Sequence, residues 1–274
     1  MNIVDARIRA PYGSEGALLR KNTNLQNTKT FGLRCSPSAV QVNPDQLVKE
    51  MDAAGIRTAL VTGRGRFADK NHELVEFARM YPGRFSVLPY LDPSTEALHE
   101  QINALAATPE VKGFSIQYFG DHAYCYDPLS PEAMTMYHRI AQTGLPMMIT
   151  LSGHTVARPD SGIISQIGDI ASEFSSMPIV ITHGGWPWVL ETIGLAFRRK
   201  NVYLIPDCYG TNAPGAQEYV RAANYMIPEK ILFGSSYPLI SQQEMVNHYL
   251  HLAGFHEEVL PLVMGDNAKA LFKL

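Results

Sequence analysis

Asp45-Gln46-Leu47-Val48-Lys49-Glu50-Met51-Asp52-Ala53-Ala54-Gly55, followed by Thr58-Ala59-Leu60-Val61-Thr62, is the stretch on which the fold turns. Its first part carries apolar residues at helical spacing and closes on a glycine; its second is a short apolar run with the character of a buried strand. A helix handed directly to a strand is the unit from which parallel sheets are built, because parallel strands need a crossover between them.

The same unit repeats downstream. Helices are expected over 71–80, 94–107, 131–143, 163–174, 187–198 and 215–223, and strands over 84–91, 111–117, 146–151, 178–182, 202–205 and 231–234. The opening Met1-Asn2-Ile3-Val4-Asp5-Ala6-Arg7-Ile8-Arg9 adds a first strand, making eight. Eight such units in about 250 residues match a closed (β/α)8 TIM barrel, in the α/β class, as a single domain over 1–274. A doubly wound open sheet is the alternative, but the glycine-rich phosphate turn expected after its first strand is missing. The tail from Glu257 is expected to close the barrel with short helices, Gly265-Asp266-Asn267-Ala268 serving as the turn before the last. Residues 10–43 show no convincing period and are read as a long loop or lid, with Arg20, Lys21 and Arg34 available to a ligand.

Composition narrows the function classes. The 274 residues are 46% hydrophobic and 18% charged, with a formal net charge of -3, so there is material for a core and no basic footprint for nucleic acid. Cys35, Cys125 and Cys208 are scattered, in no CxxC arrangement, which suggests neither a disulfide framework nor a zinc knuckle. No apolar run is long enough to span a membrane, and no leader precedes the first strand, so a cytoplasmic protein is expected. The expected partner is a small anionic substrate, with no nucleic acid and no membrane; a homo-oligomer is compatible with the sequence.

In a barrel of this kind the reactive groups stand at the C-terminal ends of the strands and just after them. Those positions hold Arg7 and Arg9, Arg64, Gln117 and Tyr118, Thr150 and His154, His183, Asp207, and Ser236 with Tyr237. His183 ends an apolar strand and precedes two glycines, the best placement in the chain for acid/base work. Asp207 is read as its partner, as a cap or as a partner of an arginine. By period-two alternation Asp5, Arg7 and Arg9 share a face of the first strand, suited to clamping a carboxylate or to an ion-pair network with Asp5 and Asp207. Arg64, Tyr118, Trp186, Ser236 and Tyr237 are expected to line the substrate pocket. Strand alternation turns Cys208 away from the Asp207 face, which argues against it as a nucleophile.

Val4-Asp5-Ala6-Arg7-Ile8-Arg9, Gly144-Leu145-Pro146-Met147-Met148-Ile149-Thr150, Ile181-Thr182-His183-Gly184, Ile231-Leu232-Phe233-Gly234-Ser235-Ser236-Tyr237-Pro238 and Gly265-Asp266-Asn267-Ala268-Lys269-Ala270-Leu271-Phe272 follow one another in an order and spacing that resembles the amidohydrolase superfamily. The branch it resembles is the amidohydrolase-related one, which includes decarboxylases and lactonases. The resemblance implies a (β/α)8 barrel and, in most members, a metal site. Arg7 and Arg9 stand where that family has its His-x-His pair, Thr150 where it has a histidine and Ser236 where it has an aspartate; His183 alone remains. A guanidinium has no lone pair to give a metal, so the expected cofactor is none, with a displaced divalent metal on His154, His183 and Asp207 left open.

The resulting expectation is a metal-independent hydrolase acting on a small carboxylated ester or lactone, with His183 as acid/base, Asp207 as its partner, and Arg7 and Arg9 as an anion clamp. A carboxy-lyase of the same branch and a non-catalytic barrel binding an anionic metabolite are the alternatives.

Overall fold

The computed structural model describes residues 1–22, 24–27, 29–117, 126–151 and 162–274. In chain order its elements are β1 Ile3–Ile8, α1 Gly13–Arg20, β2 Lys29–Thr30, β3 Leu33–Arg34, α2 Pro37–Gln41, α3 Pro44–Ala53, β4 Ile56–Thr62, α4 Asn71–Met80, β5 Phe85–Leu88, α5 Leu98–Ala106 and β6 Phe114–Gln117. Then follow α6 Pro131–Thr143, β7 Met147–Thr150, α7 Gly162–Glu173, β8 Ile179–Thr182, α8 Val189–Arg198, β9 Val202–Ile205, α9 Ala216–Tyr225, α10 Gln242–Asn247 and α11 Asn267–Phe272.

Two parallel sheets, ordered β1-β4-β5 and β6-β7-β8-β9, close on each other through two seams. At the first, the Val87 amide donates to Glu110, Lys112 to Val87 and Ser115 to Pro89, which joins β5 to β6. At the second, the segment 230–237 lies between β9 and β1. There the Leu204 amide donates to Lys230, Leu232 to Leu204, Ala6 to Phe233 and Arg9 to Tyr237. The eighth stave, expected as a strand over 231–234, is thus paired by single bridges at Ile231 and Tyr237 and forms no continuous ladder. Ser236 adopts φ +58° and Pro238 has no amide to donate, so the stretch cannot run extended for long.

Alternation along the buried strands sorts their side chains into two cores. Val4, Ala6, Leu60, Leu88, Met148, Val180, Ile205 and Leu232 fill the barrel, and Ala268 and Phe272 of α11 pack against them. Their neighbours, among them Val61, Val87, Ile149 and Ile181, face the helices instead.

β1 departs from this alternation. Its register against β4 slips between Asp5 and Ile8, and Asp5 does not share the face of the arginines as expected. The Asp5 carboxyl instead accepts from the Ser235 amide at 2.9 Å, Ser235 Oγ at 2.5 Å and Gln242 Nε2 at 2.8 Å, which ties the eighth stave to α10. Burial raises its pKa above the usual carboxylate value, against the pull of these hydrogen bonds.

Residues 10–43 are also not the featureless loop their sequence suggests. They hold α1, a 3-10 turn over Leu25–Asn27, the β2–β3 hairpin and α2. The short α1 lacks a side-chain cap at Tyr12, and Glu73 of α4 supplies one by accepting from Ser14 N at 2.6 Å and Ser14 Oγ at 3.0 Å.

Gly63 follows β4 at the rim of the barrel. A Cβ there would stand 2.5 Å from the Tyr90 amide nitrogen, and Tyr90 has no room to yield. Asn71 brackets it, donating to the Tyr90 carbonyl at 2.8 Å and accepting from the Tyr90 amide at 2.9 Å. Gly63→Ala is therefore expected to destabilise the protein by about 1–3 kcal/mol, seen as a fall of several degrees in Tm; an unchanged Tm would refute the close packing.

Candidate active site

A cavity of about 410 Å³ opens at the C-terminal ends of the strands. Arg7, Arg9, Arg64, His183, Ser236 and Tyr237 line it, as do Gln117 and Thr150, so side chains from distant parts of the sequence meet there as expected. Asp207 lies fully buried behind His183.

His183 sits immediately after β8 with φ +59°, and Gly184 and Gly185 also take left-handed φ values as the chain turns sharply toward α8. That turn is fixed from α9, where Tyr219 Oη donates to the Gly184 carbonyl at 3.1 Å. Both imidazole nitrogens have partners among the described residues: Asp207 Oδ1 lies 2.9 Å from Nδ1, and Arg7 Nη2 lies 3.1 Å from Nε2. A guanidinium can only donate, so Nε2 accepts and the ring proton is on Nδ1, donated to Asp207. In that arrangement the basic nitrogen is on the Arg7 side.

Asp207 collects the charge behind the ring. Its Oδ2 accepts from Arg7 Nη1 at 3.1 Å and from the His183 amide at 3.3 Å. Burial pushes its carboxyl up, but the neighbouring His183 and Arg7 outweigh this and hold it below the ordinary value. Arg7 Nη1 also reaches Ser236 Oγ at 3.3 Å, while Arg7 Nε is buried without a partner among the described residues. One guanidinium thus contacts the acid, the base and the eighth stave together.

Arg9 does not join that network. Its Nη1 donates to the carbonyls of Thr62, at 2.5 Å, and Gly63. Burial and the guanidiniums of Arg64 and Arg7 weigh against its positive charge, and the Glu15 carboxylate favours it. Arg64 is paired with Glu15, Nη2 to Oε1 at 2.9 Å. The expected ion-pair network of Asp5, Arg7, Arg9 and Asp207 therefore reduces to the Arg7–Asp207 pair.

Other expectations need correction. Trp186 does not line the cavity; it stacks on Tyr209 with ring centres 4.9 Å apart and donates from Nε1 to the Pro214 carbonyl. Tyr237 lines the cavity, but its hydroxyl is 3.1 Å from Ser38 Oγ. Arg20 and Lys21 are exposed, and Arg34 pairs with Glu244 outside the cavity. Cys208 does not turn away from Asp207: its Sγ is 3.3 Å from Asp207 Oδ1 and 3.9 Å from His183 Nδ1. Burial, with Asp207 beside it, pushes that thiol well above its ordinary pKa and so keeps it protonated. Tyr118 and His154 lie outside the described residues.

Sequence reasoning missed Glu15, Leu18, Leu19 and Asn22, which α1 and its end bring to the cavity wall. Their signal was a single helical turn pattern, Gly13-Ser14-Glu15-Gly16-Ala17-Leu18-Leu19-Arg20, interrupted by two glycines.

Comparison with solved structures places the chain among barrels of the same architecture. An uncharacterized TIM-barrel protein of Bordetella bronchiseptica is 24% identical, with a TM-score of 0.86 over 100% of this chain and 99% of that one. A 5-carboxyvanillate decarboxylase of Novosphingobium aromaticivorans, complexed with manganese and a nitrobenzoic acid, is 14% identical, with a TM-score of 0.68 over 100% and 96%. A probable 2-pyrone-4,6-dicarboxylic acid hydrolase of Acinetobacter baumannii with citric acid bound is 13% identical, with a TM-score of 0.69 over 100% of each chain. No curated protein sequence matches. The model of the amidohydrolase family matches residues 29–274, nearly the whole barrel, and the chain belongs to that family.

Proposed function

We propose that the protein hydrolyses a small ester or lactone carrying a carboxylate, with His183 as general base, Asp207 orienting it, and Arg7 and Arg9 receiving the negative charge. The observation that carries this reading is the pair of contacts on the His183 imidazole, Asp207 at Nδ1 and Arg7 at Nε2, which assigns the tautomer. With its proton on Nδ1 toward Asp207, Nε2 is ready to take a proton from water, as hydrolysis requires. A substrate carboxylate or carbonyl oxygen would draw the Arg7 guanidinium from Nε2, which frees the base only when the site is filled. Water then gives its proton to Nε2 while its oxygen bonds to the acyl carbon; the oxyanion is met by Arg7, and the same proton passes to the departing alkoxide as the acyl C–O bond breaks.

Manganese in the decarboxylase raises the question of a metal here. The strand ends present Arg7, Arg9, Thr150 and Ser236, which supply two cations and two neutral hydroxyls in place of a ligand set. Among the described residues, one group of three ligand atoms lies close enough for a metal, on His183, Asp207 and Cys208. Its imidazole donates into the carboxylate, and the Arg7 guanidinium, 3.1 Å from that carboxylate, already supplies the positive charge a cation would bring. These residues do not fit a divalent ion, and no step of the proposed reaction runs through one.

A carboxy-lyase is the second reading, favoured by the decarboxylase among the structural relatives. A single experiment separates the two. Protein stripped of metal by chelation is expected to keep its full rate on a pyrone monocarboxylate such as coumalate, with ring opening and no release of CO2. Loss of the rate on chelation, restored by manganese, would overturn the metal-free mechanism, and stoichiometric CO2 would establish the lyase.

A further inference from the structure

The cavity wall carries a carboxylate that the hydrolytic mechanism does not use. Glu15 lines the cavity, and its side chain is 11% exposed. It is held there by design of the fold: the preceding residue, Ser14, is fixed through both its amide and its hydroxyl by Glu73, so α1 is anchored one residue before the carboxylate it presents. No other acidic side chain lines the cavity among the described residues.

Among the described residues, two arginines of the wall have a carboxylate at hydrogen-bonding distance and Arg9 does not. Asp207 answers Arg7, and Glu15 answers Arg64. Buried Arg9 donates to two carbonyl oxygens, which orient its guanidinium but carry no charge, and Glu15 acts on it through space without a hydrogen bond. A buried cation facing a cavity with only neutral acceptors is costly until an anion completes it.

We propose that Glu15 is a specificity-determining residue that sets the cavity to receive one carboxylate, on Arg9, and to refuse a second on Arg64. The assignment rests on the anion-clamp reading of the arginines and adds to it the number of charges accepted. A second substrate carboxylate near Arg64 meets a fixed carboxylate already in place and must either displace it or lie against it; both cost affinity. The related pyrone hydrolase, by its name, acts on a dicarboxylic acid; this chain is assigned the monocarboxylic counterpart.

The test is calorimetric titration of the purified protein with benzoate, which has one carboxylate, and isophthalate, which has two. Wild-type protein is expected to bind benzoate more tightly than isophthalate. Glu15→Gln is expected to move the affinity ratio at least 10-fold toward isophthalate by leaving Arg64 unanswered, and Glu15→Asp, which keeps the charge, to stay near wild type. Glu73→Gln loosens α1 but keeps the Glu15 charge, and is expected to lower Tm while moving the ratio less than Glu15→Gln does. A ratio that stays within 2-fold in Glu15→Gln, or that moves equally in Glu73→Gln, overturns the assignment. If benzoate binds and is lost in Arg9→Gln while the Glu15→Gln ratio is unmoved, the role of Glu15 falls and the arginine clamp stands. If neither acid binds any of the proteins, both fall.

Discussion

His183→Gln is expected to lower kcat by about 10²- to 10⁴-fold on a pyrone monocarboxylate while leaving KM nearly unchanged, measured by the loss of pyrone absorbance. The size follows from what the substitution removes. Glutamine keeps a polar group of similar length at the end of β8, and its carbonyl oxygen can still accept from Arg7. An amide, however, takes no proton from water at neutral pH, so the base is lost while the anion clamp remains.

The division between kcat and KM is the informative part. His183 touches Arg7 and Asp207, whereas the substrate carboxylate is assigned to Arg9, which has no contact with His183 among its hydrogen bonds. A fall in kcat of less than 10-fold would remove His183 from the chemistry. A rise in KM of the same size as the fall in kcat/KM would instead make it a binding residue.

The barrel was legible because it rests on a signal repeated eight times: short apolar strands alternating with amphipathic helices, each confirming the others. His183 was legible for a related reason, since the end of a buried strand followed by two glycines can hardly serve packing alone. Cys208 and Asp5 were misread because period-two alternation was carried past the point where the strand is regular. The chain leaves β9 at Ile205, Pro206 is helical in backbone, and Asp207 takes φ +44°, so Asp207 and Cys208 no longer alternate. The register slip in β1 does the same to Asp5.

Glu15 was illegible for a different reason. Its helix is eight residues long, contains two glycines and owes its start to Glu73, nearly sixty residues away, so local propensity carried little of the information. The charge balance of the cavity was also invisible to the sequence. Three arginines near strand ends suggest an anion site, but only distances show that two of them are already answered from within the protein.

Asp207→Asn joins the stability of the barrel to its chemistry. In the native protein the carboxylate is fully buried, bonded to Arg7 at 3.1 Å and to His183 at 2.9 Å. Asparagine preserves the shape but removes the charge, leaving Arg7 8% exposed with no countercharge at hydrogen-bonding distance among the described residues. Breaking a buried pair from one side costs about 3–5 kcal/mol, read as a shift in the urea midpoint at pH 7. The pH dependence has a definite sign. Because His183 and Arg7 hold the Asp207 carboxyl below its ordinary value, its contribution is complete above the unfolded carboxylate pKa of about 4 and is lost as pH falls through the lower folded value. The gap between wild type and variant is therefore expected to be constant from pH 7 to about pH 5 and to close only under more acidic conditions. The amide would also reverse the imidazole: an NH2 group turned toward Nδ1 forces the ring proton onto Nε2, where it meets the donors of Arg7 instead of offering them a lone pair. Activity is thus expected to fall with stability, by a factor comparable to that of His183→Gln, even at temperatures where the variant is fully folded. A stable variant of full activity would show that the buried carboxylate neither holds Arg7 nor sets the tautomer of the base.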